Sequence, residues 1–137
     1  VISTSKGVSS LFIFLIPLLS EASTQFPVTV QHASYTITAE PAEKPIVLNK
    51  IHQWFVSIND TNGTPVQGLR FDVKGGMPEH RHGLPTKPKL ISEGQPGQYI
   101  IDGVKFNMTG KWLLELIDSD TPITYRIEFE LDHANSQ

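Results

Sequence analysis

The sequence predicts an all-β protein, a sandwich of about seven strands. Three observations carry that expectation. Apolar and polar residues alternate with period two along most of the chain after residue 23. Turn-forming residues interrupt that alternation every eight to twelve positions or so. No stretch there sustains a 3.6-residue apolar period, and the 10 prolines work against long helices.

The strands can be read in order. A first pair runs through Val28-Thr29-Val30 and Ser34-Tyr35-Thr36-Ile37-Thr38, with Pro41 and Pro45 as punctuation. Ile51 to Asn59 is the clearest central strand, with His52, Trp54, Val56 and Ile58 on one face. Asp60-Thr61-Asn62-Gly63-Thr64-Pro65 combines residues that tolerate positive φ with one that presets it, which makes a turn. Leu69, Phe71 and Val73 alternate with Arg70, Asp72 and Lys74, and Gly75-Gly76 closes that strand. A short strand at Gly97 to Ile101 meets Asp102-Gly103, a hairpin dipeptide, and the chain returns through Val104 to Met108. Trp112 to Ile117 follows Gly110, and Ile123, Tyr125, Ile127, Phe129 and Leu131 mark the most regular strand. The tail from Asp132 to Gln137 is expected to fray.

Composition bounds the function. The chain of 137 residues has room for one domain, and its 39% hydrophobic and 18% charged residues are globular proportions. A net charge of −3 with scattered Lys and Arg speaks against a nucleic-acid partner. There is no cysteine, so disulfides, thiolate metal sites and Cys nucleophiles are excluded. Lys6, the apolar run Leu11 to Leu19 and the small residues Ser20 and Ala22 have the layout of a secretory signal. The expected division is therefore a signal peptide over 1–22 and one sandwich domain over 23–137, exported to the periplasm or secreted. That apolar run falls short of the roughly 20 residues a membrane span needs, so the mature chain is expected to carry none.

One segment looks like chemistry. Gly75-Gly76-Met77-Pro78-Glu79-His80-Arg81-His82-Gly83 places a thioether and two imidazoles close together, and Met108 offers a second thioether downstream. Sulfur favours Cu(I), and imidazole serves both copper oxidation states. If the short piece is extended, His80 and His82 project to one side with Cα atoms roughly 6.5–7 Å apart, near enough to share an ion. Met108 shares parity with Phe106 and Trp112, so core packing and metal ligation are both open to it. His52, on an apolar face, reads as a structural histidine.

Enzymatic signatures are missing from the sequence. There is no Gly-x-Ser-x-Gly elbow, and Glu79-His80 lacks the helical i, i+4 histidine pair of zinc proteases.

Taken in order, Gly76-Met77-Pro78, His80, His82-Gly83, Pro85, Pro88, Gly97, Tyr99, Gly103-Val104, Phe106, Met108, Gly110 and Trp112 resemble the core pattern of YtkA-like and FixH-like domains. The resemblance covers about residues 50 to 131. It implies a small immunoglobulin-like β-sandwich, exported or membrane-tethered in bacteria, with the FixH-like members linked to copper supply. It also implies that Met77, His80, His82 and Met108 stand where the family clusters its Met and His side chains. The expectation is a non-catalytic copper protein that binds Cu(I) or Cu(II) and passes it to an envelope partner. Its affinity should weaken in acid, where imidazole takes up a proton. The rival expectation is a metal-free interaction or assembly module; a third, a small-ligand carrier, would need a sizeable apolar cavity.

Overall fold

The computed structural model describes residues 25–137, so the expected signal segment over 1–22 lies outside the described residues. The described chain is all-β: β1 (Val28–His32), β2 (Tyr35–Pro41), β3 (Ile51–Asp60), β4 (Phe71–Met77), β5 (His82–Gly83), β6 (Lys89–Glu93), β7 (Gln98–Lys105), β8 (Gly110–Asp118) and β9 (Thr124–Leu131). A single 3-10 turn, Pro78–His80, separates β4 from β5. Every pairing between strands is antiparallel, in the order β1-β2-β3-β7-β6-β4-β8-β9, with β5 on β4.

This continuous sheet folds over on itself, so β1-β2-β3-β7 faces β4-β8-β9. Alternation dictates which side chains meet inside. Trp54 of β3 stacks at 5.1 Å on Phe129 of β9, Tyr35 of β2 lies 5.4 Å from Tyr125 of β9, and Phe71 of β4 lies 5.3 Å from Tyr99 of β7. The expected inner face of β3 is buried along its whole length, including His52, whose Nε2 lies 2.9 Å from the Val47 carbonyl.

Tyr99 has a specific role. Its hydroxyl donates to the Val66 carbonyl at 2.6 Å and accepts from the Leu69 amide at 3.1 Å, locking the β3–β4 connection to β7. Burial pushes this phenol's pKa up. Tyr99→Phe is expected to cost about 1–2 kcal/mol, because a half-buried carbonyl and amide both lose a partner. Urea unfolding should show a lower midpoint with an unchanged slope.

Three expectations need correction. Asp102-Gly103 is not a hairpin. It lies inside β7, where Trp54 pairs with Ile101 but His52 pairs with Val104, so one extra residue bulges out. Gly103, at φ +92, takes up that bulge and resets the phase so that Ile101 and Val104 both point inward. Gly75-Gly76 does not end its strand either, since β4 continues to Met77. The tail is not frayed: Ile46 N bonds Asn135 O at 3.1 Å, Gln137 N bonds Ile46 O at 2.8 Å, and Leu48 N bonds Gln137 O at 2.7 Å.

Candidate metal centre

The His-containing segment reverses tightly at one end of the sandwich. Pro78 opens the 3-10 turn, where its missing N–H costs nothing. Arg81 follows at φ 56, a left-handed conformation uncommon for a non-glycine residue, and sends the chain back along β4. β5 then pairs Met77 with His82 and Gly76 with Gly83. The extended geometry expected for His80 and His82 is therefore not found: a 3-10 turn and a left-handed residue intervene. The reversal nonetheless brings the two rings to 5.9 Å between centroids, with 41° between their planes.

The double glycine lets three strands approach closely. A Cβ on Gly75 would lie 2.6 Å from the Leu113 carbonyl oxygen of β8. A Cβ on Gly76 would run into the His82 carbonyl oxygen and lie 2.9 Å from Gly83 Cα. Side chains at these two positions would thus push away β8 or β5.

Trp112 gathers the remaining pieces. Its ring meets His82 edge-on at 5.9 Å and Phe106 at 5.0 Å, and its Nε1 donates to the Met108 carbonyl at 3.1 Å. Two residues earlier, Gly110 leaves room for the Met77 methyl, which lies 2.6 Å from where a Cβ would stand. Across the turn, Lys111 Nζ reaches Glu79 Oε1 at 3.6 Å. The fold thus brings Met77, His80, His82 and the backbone of Met108 to one end of the sandwich. Burial separates them: His80 is exposed, His82 half-buried, Met77 1% exposed and Met108 38% exposed. Met108 thus lies outside the core, whereas Met77 packs into it.

The donor chemistry can be tested on this geometry. His82 Nδ1 lies 3.0 Å from the Gly83 carbonyl, which can only accept, so in the tautomer that donates this bond Nε2 is the nitrogen available to a metal. With metal–nitrogen bonds of about 2 Å, two imidazoles on one ion hold their centroids roughly 5–6 Å apart. The observed 5.9 Å falls within that range. Among the described residues no group of three or more His, Cys, Asp or Glu side chains could hold a metal. An ion on the imidazole pair would therefore need its remaining donors from outside that set, the thioethers being one source. Two groups whose protonation the fold perturbs lie at the other end of β8 and β9. Burial pushes Tyr125 up to about 12, and Asp118 is held low despite its burial by hydrogen bonds from Asp120 and Thr121.

In the sequence, Trp112 stands out only by sharing parity with Phe106 and Met108. Its ring contact with His82 and its hydrogen bond to Met108 make it the element on which the cluster is assembled, and no spacing rule signals that.

No curated protein matches the chain. Among solved structures, the ZirS C-terminal domain is similar at 14% identity and a TM-score of 0.43, over 92% of this chain and 95% of that one. A family model described as YtkA-like matches residues 29–116, the span from β1 into β8 that holds Met77, His80, His82, Met108 and Trp112. The chain belongs to the YtkA-like family.

Proposed function

We propose that this chain is a non-catalytic copper-binding protein of the bacterial periplasm or cell exterior, which holds Cu(I) or Cu(II) at the β4–β5 end and yields it to an envelope partner. The observation that carries this reading is the His80–His82 pair, 5.9 Å apart between ring centres, with the Gly83 carbonyl 3.0 Å from Nδ1 of His82. Export is supported by the apolar run Leu11 to Leu19 behind Lys6. No helix among the described residues is long and apolar enough to cross a membrane.

The donor set suits cargo better than a permanent cofactor. Imidazoles and thioethers accept copper, yet without thiolate they hold it loosely enough to exchange. Met108, exposed on the β7–β8 connection, is the accessible sulfur. Met77 stands as the floor of the site and would ligate by turning its sulfur toward His82, its cross-strand partner.

Titration of the protein with Cu(I) against a competing chelator tests the reading. The native chain should take up copper stoichiometrically. The His80→Ala/His82→Ala variant should lose more than the about 10–100-fold that removing one supporting partner of a metal ligand costs. Neither imidazole belongs to the buried core, so its fold should persist. No stoichiometric uptake, or equal uptake by both proteins, would favour the metal-free interaction module instead. One feature favours that second reading: a groove of about 450 Å³ beside the turn, rimmed by Glu79, Glu128 and Glu130.

A further inference from the structure

The two methionines of the chain differ sharply in their surroundings. Met77 is 1% exposed, with its methyl lodged against Gly110, whereas Met108 is 38% exposed between exposed Asn107 and half-buried Thr109. We propose that Met108 is an oxidation site at which peroxides selectively weaken the Cu(I) binding of the copper centre. The copper half of this inference rests on the function proposed above; the selectivity of oxidation does not.

The chemistry balances with a hydroperoxide as oxidant. The Met108 sulfur lone pair attacks one peroxide oxygen, an S–O bond forms and the O–O bond breaks. Sulfur is oxidised to the sulfoxide, and hydrogen peroxide is reduced to water as the transferred oxygen's proton moves to the leaving oxygen. Access decides which thioether reacts, so Met108 should be far ahead of Met77.

The fold tolerates the product at one position only. A sulfoxide oxygen on Met77, a side chain 1% exposed, would be taken out of water, at a cost of about 1–3 kcal/mol. On Met108 it faces solvent, and the backbone there stays pinned because the Met108 carbonyl, not its side chain, accepts the Trp112 indole N–H. The lesion is therefore confined to the metal end. It replaces a soft donor with an oxygen-bearing one, which weakens Cu(I) selectively, and leaves the imidazoles that serve Cu(II) unchanged.

The test treats the metal-free protein with hydrogen peroxide in the presence of a chelator, then maps both methionines by peptide mass spectrometry. Sulfoxide should form at Met108 about tenfold or more faster than at Met77, with the circular dichroism spectrum retained. The affinity for Cu(I) should fall about tenfold or more while that for Cu(II) changes less than about threefold. Methionine sulfoxide reductase should restore the Cu(I) affinity. Met108→Leu should bind Cu(I) as weakly as the oxidised protein and be indifferent to peroxide. Oxidation of Met77 at a comparable rate overturns the site assignment. A Met108 sulfoxide that binds Cu(I) like the untreated protein overturns the switch. If the untreated protein takes up no Cu(I) at all, the switch falls along with the proposed function, and the mass map still decides the selectivity.

Discussion

Gly76→Ala is expected to destabilise the protein by about 3 kcal/mol and to abolish copper uptake at the same time. The added methyl would collide with the His82 carbonyl oxygen and stand 2.9 Å from Gly83 Cα, both backbone atoms of β5. No side-chain rotation relieves such a clash, so β5 must leave β4 and carry His82 away from Trp112. Two other glycines serve as controls. At Gly83 the nearest atom to a Cβ is the Gly75 carbonyl oxygen at 3.5 Å, an ordinary contact, so Gly83→Ala should be nearly neutral. At Gly110 the obstacle is the flexible tip of Met77, which can swing aside, but φ +124 leaves alanine strained there. Thermal unfolding together with chelator-competition titration reads all three. A Gly76→Ala protein as stable and as copper-competent as the parent would show that β5 does not dock on β4 as described.

Trp112→Ala should have the largest effect on stability, about 3–5 kcal/mol. It empties a site packed against Phe106 and His82 and leaves the Met108 carbonyl without its indole donor. Trp112→Phe separates these contributions. It keeps a ring against His82 and Phe106 but removes the N–H, so the expected loss is about 1–2 kcal/mol. The phenylalanine variant should retain the His80–His82 pair and hence most Cu(II) uptake, while its Cu(I) uptake weakens as the Met108 segment loosens. Denaturant unfolding gives the stability difference, and parallel titrations with the two copper ions give the rest. Equal losses for both ions in Trp112→Phe would mean that the indole N–H does not position the thioether.

The strands that are legible in the sequence are those with one wet face and one dry face. β3 and β9 alternate along their whole length, and their inner residues are the ones the structure buries. β6 is not legible, because Leu90 and Ile91 are adjacent rather than alternating, and Ile91 is 52% exposed. Asp102-Gly103 misled because a hairpin dipeptide and a bulge dipeptide share the same chemistry, a glycine at positive φ; only the partner strand tells them apart. The tail is held by backbone bonds to residues 46–48, which leave no mark on side-chain patterning. At the β4–β5 end, the sequence singles out Met77, His80, His82 and Met108 as candidates but misjudges their geometry. Two histidines one residue apart suggest an extended pair, yet Pro78 and the left-handed Arg81 fold the segment into a reversal. The contrast between Met77 and Met108 is invisible to parity as well. Met108 follows Phe106 in phase, but it falls after β7 has ended, where alternation no longer governs which way a side chain points.

The unbroken ladder from β1 to β9 also restricts how an ion could come and go. With β6 bridging the two layers through its pairings to β7 and β4, no hinge divides the described residues into halves that might part. On the proposed function, loading and release would proceed by rotation of a few surface groups, the imidazole of His80 and the thioether of Met108 foremost. Rotamer changes of exposed side chains take picoseconds to nanoseconds, far quicker than domain opening. Transfer would accordingly be paced by encounter with the receiving molecule rather than by any rearrangement of the donor.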